Sequence, residues 1–113
     1  MARPAGHEDV FRAIADPTRR AMLDLLSQRG EQAAGLLGKP FHISPPAVSK
    51  HLRVLKSAGL VAERKDGRQR LYSLRPGPLR EVVDWARHYE RFWQTKLAAL
   101  GAVLDAQAHK EKK

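Results

Sequence analysis

The chain has 113 residues, a formal net charge of +9 and no cysteine. That length suits one domain and not comfortably two, and the missing cysteine excludes disulfides, thiolate metal sites and thiol redox switches. No stretch approaches the roughly 18 apolar residues of a membrane span, and the apolar residues fall in periodic runs that favour a folded globule over a disordered tail.

Residues 1–7 read as a flexible arm without the apolar segment of a signal peptide. Val10, Phe11, Ile14 and Ala15 recur at helical spacing and predict a short first helix. It ends at Asp16-Pro17, because proline disfavours helical geometry in the residue before it. Asp16 also suits the next N-cap, and Pro17 the first helical position. The second helix has Met22, Leu23, Leu25 and Leu26 as its apolar face, and Gly30 is placed to end it. Over residues 33–41, Leu36 and Leu37 demand burial while Gly35, Gly38 and Pro40 are poor helix formers. One short, weak helix of about two turns is expected there. Ile43 reads as core. Ser44-Pro45 is another cap followed by a helix-starting proline. The helix it opens has Val48, Leu52 and Leu55 at i, i+4 and i+7, one buried stripe, and stops at Ala58-Gly59. Leu60 to Lys65 and Gln69 to Leu74 then flank Asp66-Gly67, a dipeptide favoured in tight hairpin turns. Pro76-Gly77-Pro78 is a linker. From Leu79 an amphipathic stretch carries Val82, Val83, Ala86, Tyr89, Phe92, Trp93, Leu97, Leu100, Val103 and Leu104. Unbroken, it would be about 45 Å long, with Thr95 or Gly101 as places for a bend.

The charge is concentrated. From Lys50 to Arg75 there are eight basic residues (Lys50, Arg53, Lys56, Arg64, Lys65, Arg68, Arg70 and Arg75), opposed by Glu63 and Asp66 alone. So basic a balance points to a polyanion, usually nucleic acid, although ribosomal and membrane-surface proteins share it. The order of elements narrows the choice: helix, helix, short helix, capped helix, basic hairpin, long helix. This is the order of a winged helix-turn-helix, a mainly α fold with a small β-hairpin wing. If the capped helix buries Val48, Leu52 and Leu55, its opposite face presents Pro46, Ser49, Lys50 and Arg53 in the turns that enter a major groove most deeply. Ser49 can donate to or accept from base edges, Lys50 can reach guanine O6/N7 or a phosphate, and Arg53 suits the backbone. The hairpin tip Lys65-Asp66-Gly67-Arg68, flanked by Arg64 and Arg70, is a cationic finger for phosphates or an adjacent minor groove. A basic helix face is often only solvated, and a basic hairpin often only an edge guarded against aggregation. Both together, in this order, favour DNA.

These segments resemble the ArsR family of bacterial repressors. The likeness lies in Ala15-Asp16-Pro17-Thr18-Arg19-Arg20 with Met22 to Leu26 behind it, and in Phe41 to Val61 around Ile43-Ser44-Pro45-Pro46-Ala47-Val48-Ser49-Lys50-His51-Leu52-Arg53. It continues in Gly67-Arg68 and Leu71-Tyr72-Ser73-Leu74, and spans about residues 8 to 95. It implies a winged-helix homodimer that binds operator DNA and dimerises through its first and last helices. It also implies that Pro45, Pro46, Ser49 and Lys50 hold base-reading positions and Arg68 a backbone-contacting one. Two departures stand out: the cysteines of the family's metal sensors are absent, and Leu36 stands where relatives often place an acidic residue.

Other chemistry finds little support. Asp84 and His88 lie four apart with Glu81 one turn earlier, the start of a metal site; such sites need about four ligands, and a solvated face with an acid–imidazole contact explains them more simply. His7, His42 and His109 have no suitable neighbours. There is no phosphate-cradling glycine loop, cysteine nucleophile or serine elbow, so no enzyme is expected. Trp85, Tyr89, Phe92 and Trp93 fit a core or dimer interface, or else a ligand pocket between subunits. Val83, Phe92 and Leu100 fall away from the stripe through Val82, Ala86, Tyr89 and Trp93, which calls for a partner subunit. The expected organisation is an arm (1–7), a DNA-binding core (8–78), a C-terminal dimerisation helix (79–108) and a flexible basic tail (109–113). The candidate DNA surface is Ser44, Pro45, Pro46, Ser49, Lys50, His51, Arg53, Arg64, Lys65, Arg68 and Arg70; the candidate dimer surface is Phe11, Val83, Tyr89, Phe92, Trp93 and Leu100. The sequence therefore reads as a cytoplasmic, cofactor-free homodimeric regulator, more readily a repressor, with double-stranded DNA as partner, no membrane association and room for a small-molecule effector it does not identify. A winged-helix protein-interaction module or a nonspecific architectural DNA binder is the alternative.

Overall fold

A computed structural model describes residues 9–111, with side chains described for 9–96 and 98–103. The expected arm, residues 1–7, lies outside this range, as do the side chains of Leu97, Leu104 and the expected tail.

Three helix starts are fixed by the side chains just before them. Helix α1 (Val10–Ile14) follows Asp9, whose Oδ1 accepts the Phe11 amide at 2.8 Å. Helix α2 (Pro17–Arg29) follows Asp16, whose Oδ2 accepts the Arg19 amide at 2.9 Å. Helix α4 (Pro45–Ser57) follows Ser44, whose Oγ accepts the Ala47 amide at 3.3 Å. Each cap satisfies an amide that the helix itself cannot.

Between α2 and α4 the chain forms strand β1 (Gln32–Ala33), helix α3 (Ala34–Gly38) and a 3-10 turn over Lys39–Phe41. The expected pair of buried leucines parts here: Leu37 is buried, whereas Leu36 is 50% exposed. Neighbouring residues on a helix point roughly 100° apart, and on α3 Leu37 takes the core side while Leu36 is left outside. Gly38 is needed for contact, because a Cβ built there would overlap the Val48 side chain. Helices α3 and α4 meet at that position.

Helix α4 ends in a Schellman motif. Gly59 has φ +76°, its amide donates to the Lys56 carbonyl at 2.9 Å, and the Leu60 amide donates to the Leu55 carbonyl at 3.0 Å. Leu55 and Leu60 are both fully buried, so the cap seals apolar surface as it turns the chain. The hairpin follows at once, with β2 (Val61–Asp66) antiparallel to β3 (Gln69–Leu74). Asp66 pairs with Gln69, so the two-residue loop is Gly67-Arg68 and not Asp66-Gly67. Gly67, at φ +62°, holds the first loop position, which a II′ turn reserves for glycine. On the other edge β1 pairs with β3, Gln32 opposite Tyr72, giving a three-stranded sheet in the order β1-β3-β2. Two residues carry no alternation, so hydropathy periodicity misses β1.

The core joins Val10 and Ala13 of α1, Met22, Leu23 and Leu26 of α2, and Leu37 to the α4 stripe of Val48, Leu52 and Leu55; Leu60, Val61 and Tyr72 close it. Phe11, Ile43, Leu79 and Val82 are partly buried against it.

Residues up to Val82 and residues from Val83 form two compact units. The amphipathic stretch from Leu79 is two helices, α5 (Leu79–Arg87) and α6 (Glu90–Glu111), parted at neither Thr95 nor Gly101. The His88 amide donates to the Trp85 carbonyl at 3.1 Å and the Tyr89 amide to the Ala86 carbonyl at 3.0 Å. These three-residue steps break the four-residue ladder, whereas α6 runs on through both Thr95 and Gly101. In the second unit Val83, Trp85, Tyr89, Phe92, Trp93, Leu100 and Val103 are between 48% and 61% exposed. Among the described residues no helix is long and apolar enough to cross a membrane.

Candidate nucleic-acid interface

Burying Val48, Leu52 and Leu55 fixes the rotation of α4, and with it the residues left in solvent. Pro45, Pro46, Ser49, Lys50 and Arg53 are all exposed, as the stripe requires. Ser44 is exposed too, but its hydroxyl is engaged as the cap.

His51 points elsewhere. Its Nδ1 lies 3.4 Å from Arg19 Nη1 and 3.9 Å from Asp16 Oδ2, so it packs against the start of α2. Arg19 braces that corner further: Nε donates to the Ala13 carbonyl at 2.6 Å and Nη2 to the Arg12 carbonyl at 3.1 Å. The Arg19 amide, with the charges of Arg19 and His51, holds the Asp16 carboxyl below its ordinary value. The basic residue Arg19 thus links the end of α1 and the start of α2 to His51 of α4.

The wing's cations divide into paired and unpaired. Arg64 makes a bidentate bridge to Glu31, Nε to Oε2 at 2.8 Å and Nη2 to Oε1 at 2.7 Å. That bridge depresses the Glu31 carboxyl. Arg70 lies 3.4 Å from Glu63, which also holds Lys56 at 3.0 Å and accepts the Tyr72 hydroxyl. Glu63 is consequently held below the usual carboxylate range, first by Tyr72 and then by Lys56. Tyr72 is pushed up to about 12, chiefly by burial and then by the carboxylate. Among the described residues Lys50, Arg53, Lys65 and Arg68 have no carboxylate partner.

Helix and wing face each other across a cleft of about 310 Å³. Ser49, Arg53 and Lys56 of α4 line one side, and Glu63, Arg70 and Tyr72 of the hairpin the other. The roles of Glu31 and Glu63 were missed in the sequence, where they count only as charges subtracted from a total. Pairing across 33 residues, as in Arg64–Glu31, leaves no local signal.

The weak metal candidates stay apart. Asp84 lies 4.0 Å from Arg87, and His88 Nδ1 lies 3.0 Å from the Trp85 carbonyl. The expected Asp84–His88 contact needs a helix through both, and α5 ends at Arg87. Among the described residues no three metal-ligating side chains cluster.

The sequence profile of "Bacterial regulatory protein, arsR family" matches residues 16–63. That span runs from the α2 cap through α4 into the wing. The chain is 40% identical over 81 residues to the transcriptional repressor SdpR of Bacillus subtilis, covering 72% of this chain and 89% of that one. A crystal structure of an ArsR family transcriptional regulator superposes with a TM-score of 0.66 at 37% identity, covering 74% of this chain and 86% of that one. A homodimeric winged helix-turn-helix DNA-binding domain from Mycobacterium bovis, solved by NMR, superposes with a TM-score of 0.57 at 30% identity, covering 71% and 76%.

Proposed function

The chain belongs to the ArsR family of bacterial regulatory proteins, and from that premise we propose that it is a homodimeric repressor reading a palindromic operator with α4 and its wing. The observation that carries this reading is the division of charge. Among the described residues Lys50, Arg53, Lys65 and Arg68 of α4 and the wing have no carboxylate partner, whereas Arg64 and Arg70 are paired within the fold. Of these, Arg53 lines the cleft, and all four are available for counterion release on DNA. Ser49 and Lys50 take the base edges, Arg53 and Lys65 the backbone, and Arg68 a phosphate or the adjacent minor groove. Ser44, Pro45 and Pro46 set the entry of α4, and His51 acts from behind by holding it to α2.

Residues 8–78 form the reading unit and 79–108 supply the dimer, through the exposed Val83, Tyr89, Phe92, Trp93 and Leu100. Phe11 of α1 is assigned to the dimer contacts as well. A relative is a repressor and a structural neighbour is homodimeric, which supports both assignments. The reading assigns no catalysis, and the cytoplasm as the place of action. Footprinting on a fragment recovered from a random DNA pool tests it. A regulator protects one short palindrome, whereas an architectural protein gives coverage that only grows with fragment length.

A further inference from the structure

Gly35 has no steric reason to be glycine. A Cβ built there meets nothing within 4 Å, and its φ is not in the left-handed region. Glycine inside a helix costs roughly 0.5–1 kcal/mol against alanine, and here no contact accounts for that cost. What the missing side chain leaves is space. Gly35 lines a cavity of about 280 Å³ between α3 and the start of α4. Its walls are otherwise mostly apolar, with Ala34, Ile43 and Val48 among them. The polar groups in the lining are Lys39, His42 and Ser49. Lys39 and His42 have no carboxylate partner among the described residues.

We propose that this cavity is an effector site for a small apolar carboxylate, whose occupancy competes with DNA. A cavity of about 150 Å³ suffices for benzene, so this one houses a ring bearing one substituent. Apolar walls with few polar groups make a ligand pocket. Here those groups are a cation and an imidazole, which select an anionic head on an apolar body. Coupling to DNA follows from position, because Pro45 and Ser49 line the same cavity and stand at the start of the proposed reading helix. An occupant therefore takes ground that a base edge needs, and the two ligands exclude each other. This regulation rests on the DNA-reading role of α4; the cavity itself does not.

The test uses the whole chain, with benzoate and cyclohexanecarboxylate as probes and benzamide as the uncharged control. In NMR titrations without DNA, both carboxylates should shift the amides of Gly35, Gly38 and Val48, and benzamide should do so far more weakly. With a selected operator fragment, a probe at ten times its own Kd should weaken DNA binding about tenfold. Gly35→Leu should abolish the probe's effect while DNA still binds, and Lys39→Met should remove the preference for carboxylate over amide. Absence of shifts at these amides, or a full probe response in Gly35→Leu, overturns the site. If Gly35→Leu loses DNA binding too, Lys39→Met alone decides, and an unchanged carboxylate preference overturns the site. Shifts without competition against DNA overturn the regulatory role. Failure of the untreated protein to bind any operator fragment overturns the reading of α4 and leaves the amide shifts to judge the cavity.

Discussion

Glu63 touches Lys56 of α4 and both Arg70 and Tyr72 of β3, so one carboxylate ties the proposed reading helix to the wing. Glu63→Gln should lower the Tyr72 titration midpoint from about 12, leaving it above the ordinary value because burial is the larger cause. It should also free Lys56 and Arg70 for phosphates, steepening the salt dependence of DNA binding by up to about two units per subunit. Ultraviolet titration and binding isotherms at several salt concentrations measure these, and no change in either means that Glu63 holds neither helix nor wing. Acid should act through the same groups. Asp16 and Glu63 have folded values lowered below the unfolded ones. Their stabilisation is therefore present at neutral pH and lost as pH falls through those lowered values. The fall in urea midpoint below about pH 4 should be shallower in Asp16→Asn than in the parent protein. Among the free cations, Ser49→Ala or Lys50→Ala should cost about 1–3 kcal/mol and relax preference at one position per half-site. Arg68→Ala should weaken all sequences alike and reduce the salt slope by about one unit per contact. A randomised-operator library separates the two patterns, and a changed logo with Arg68→Ala alone would reverse the assignment of helix and wing. At this scale the sequence shows which residues are basic. It does not show which are already paired, because the Arg64–Glu31 and Arg70–Glu63 partners meet only once the strands align.

Helix α3 packs on α4 through Gly38, and the same short helix leaves Gly35 open. Two alanine substitutions three residues apart should therefore act with opposite sign. Gly38→Ala forces Val48 to move and should destabilise by about 1–3 kcal/mol, as overpacking does. Gly35→Ala meets no obstacle and should stabilise by about 0.5–1 kcal/mol. Urea unfolding measures both; equal effects would mean that α3 does not sit on Val48 as described. The caps Asp16 and Ser44 were legible in advance because capping chemistry is local, and so was the α4 stripe, whose three buried positions repeat at helical spacing. Strand β1 and the break at His88–Tyr89 were not. The first is two residues long, and the second is marked by neither proline nor glycine. The hairpin was legible in place but not in register, since both Asp-Gly and Gly-Arg are acceptable loops until the strands pair.

For the whole molecule, the decisive feature is the run of large apolar side chains left about half exposed between Val83 and Val103, a surface of the kind that a partner covers. Replacing Phe92 and Trp93 together with charged residues should give monomers or insoluble protein by light scattering, and a folded, soluble dimer would refute the assigned interface. In the proposed dimer two copies of α4 are related by a two-fold axis, and such a pair matches a palindrome. The central claim is thus a geometric one, and selection from a randomised DNA pool tests it most directly. The account predicts one short palindrome whose half-sites lie about 10 base pairs, or a multiple, apart centre to centre. Recovery of fragments that share no motif, in proportion to their length alone, would contradict it.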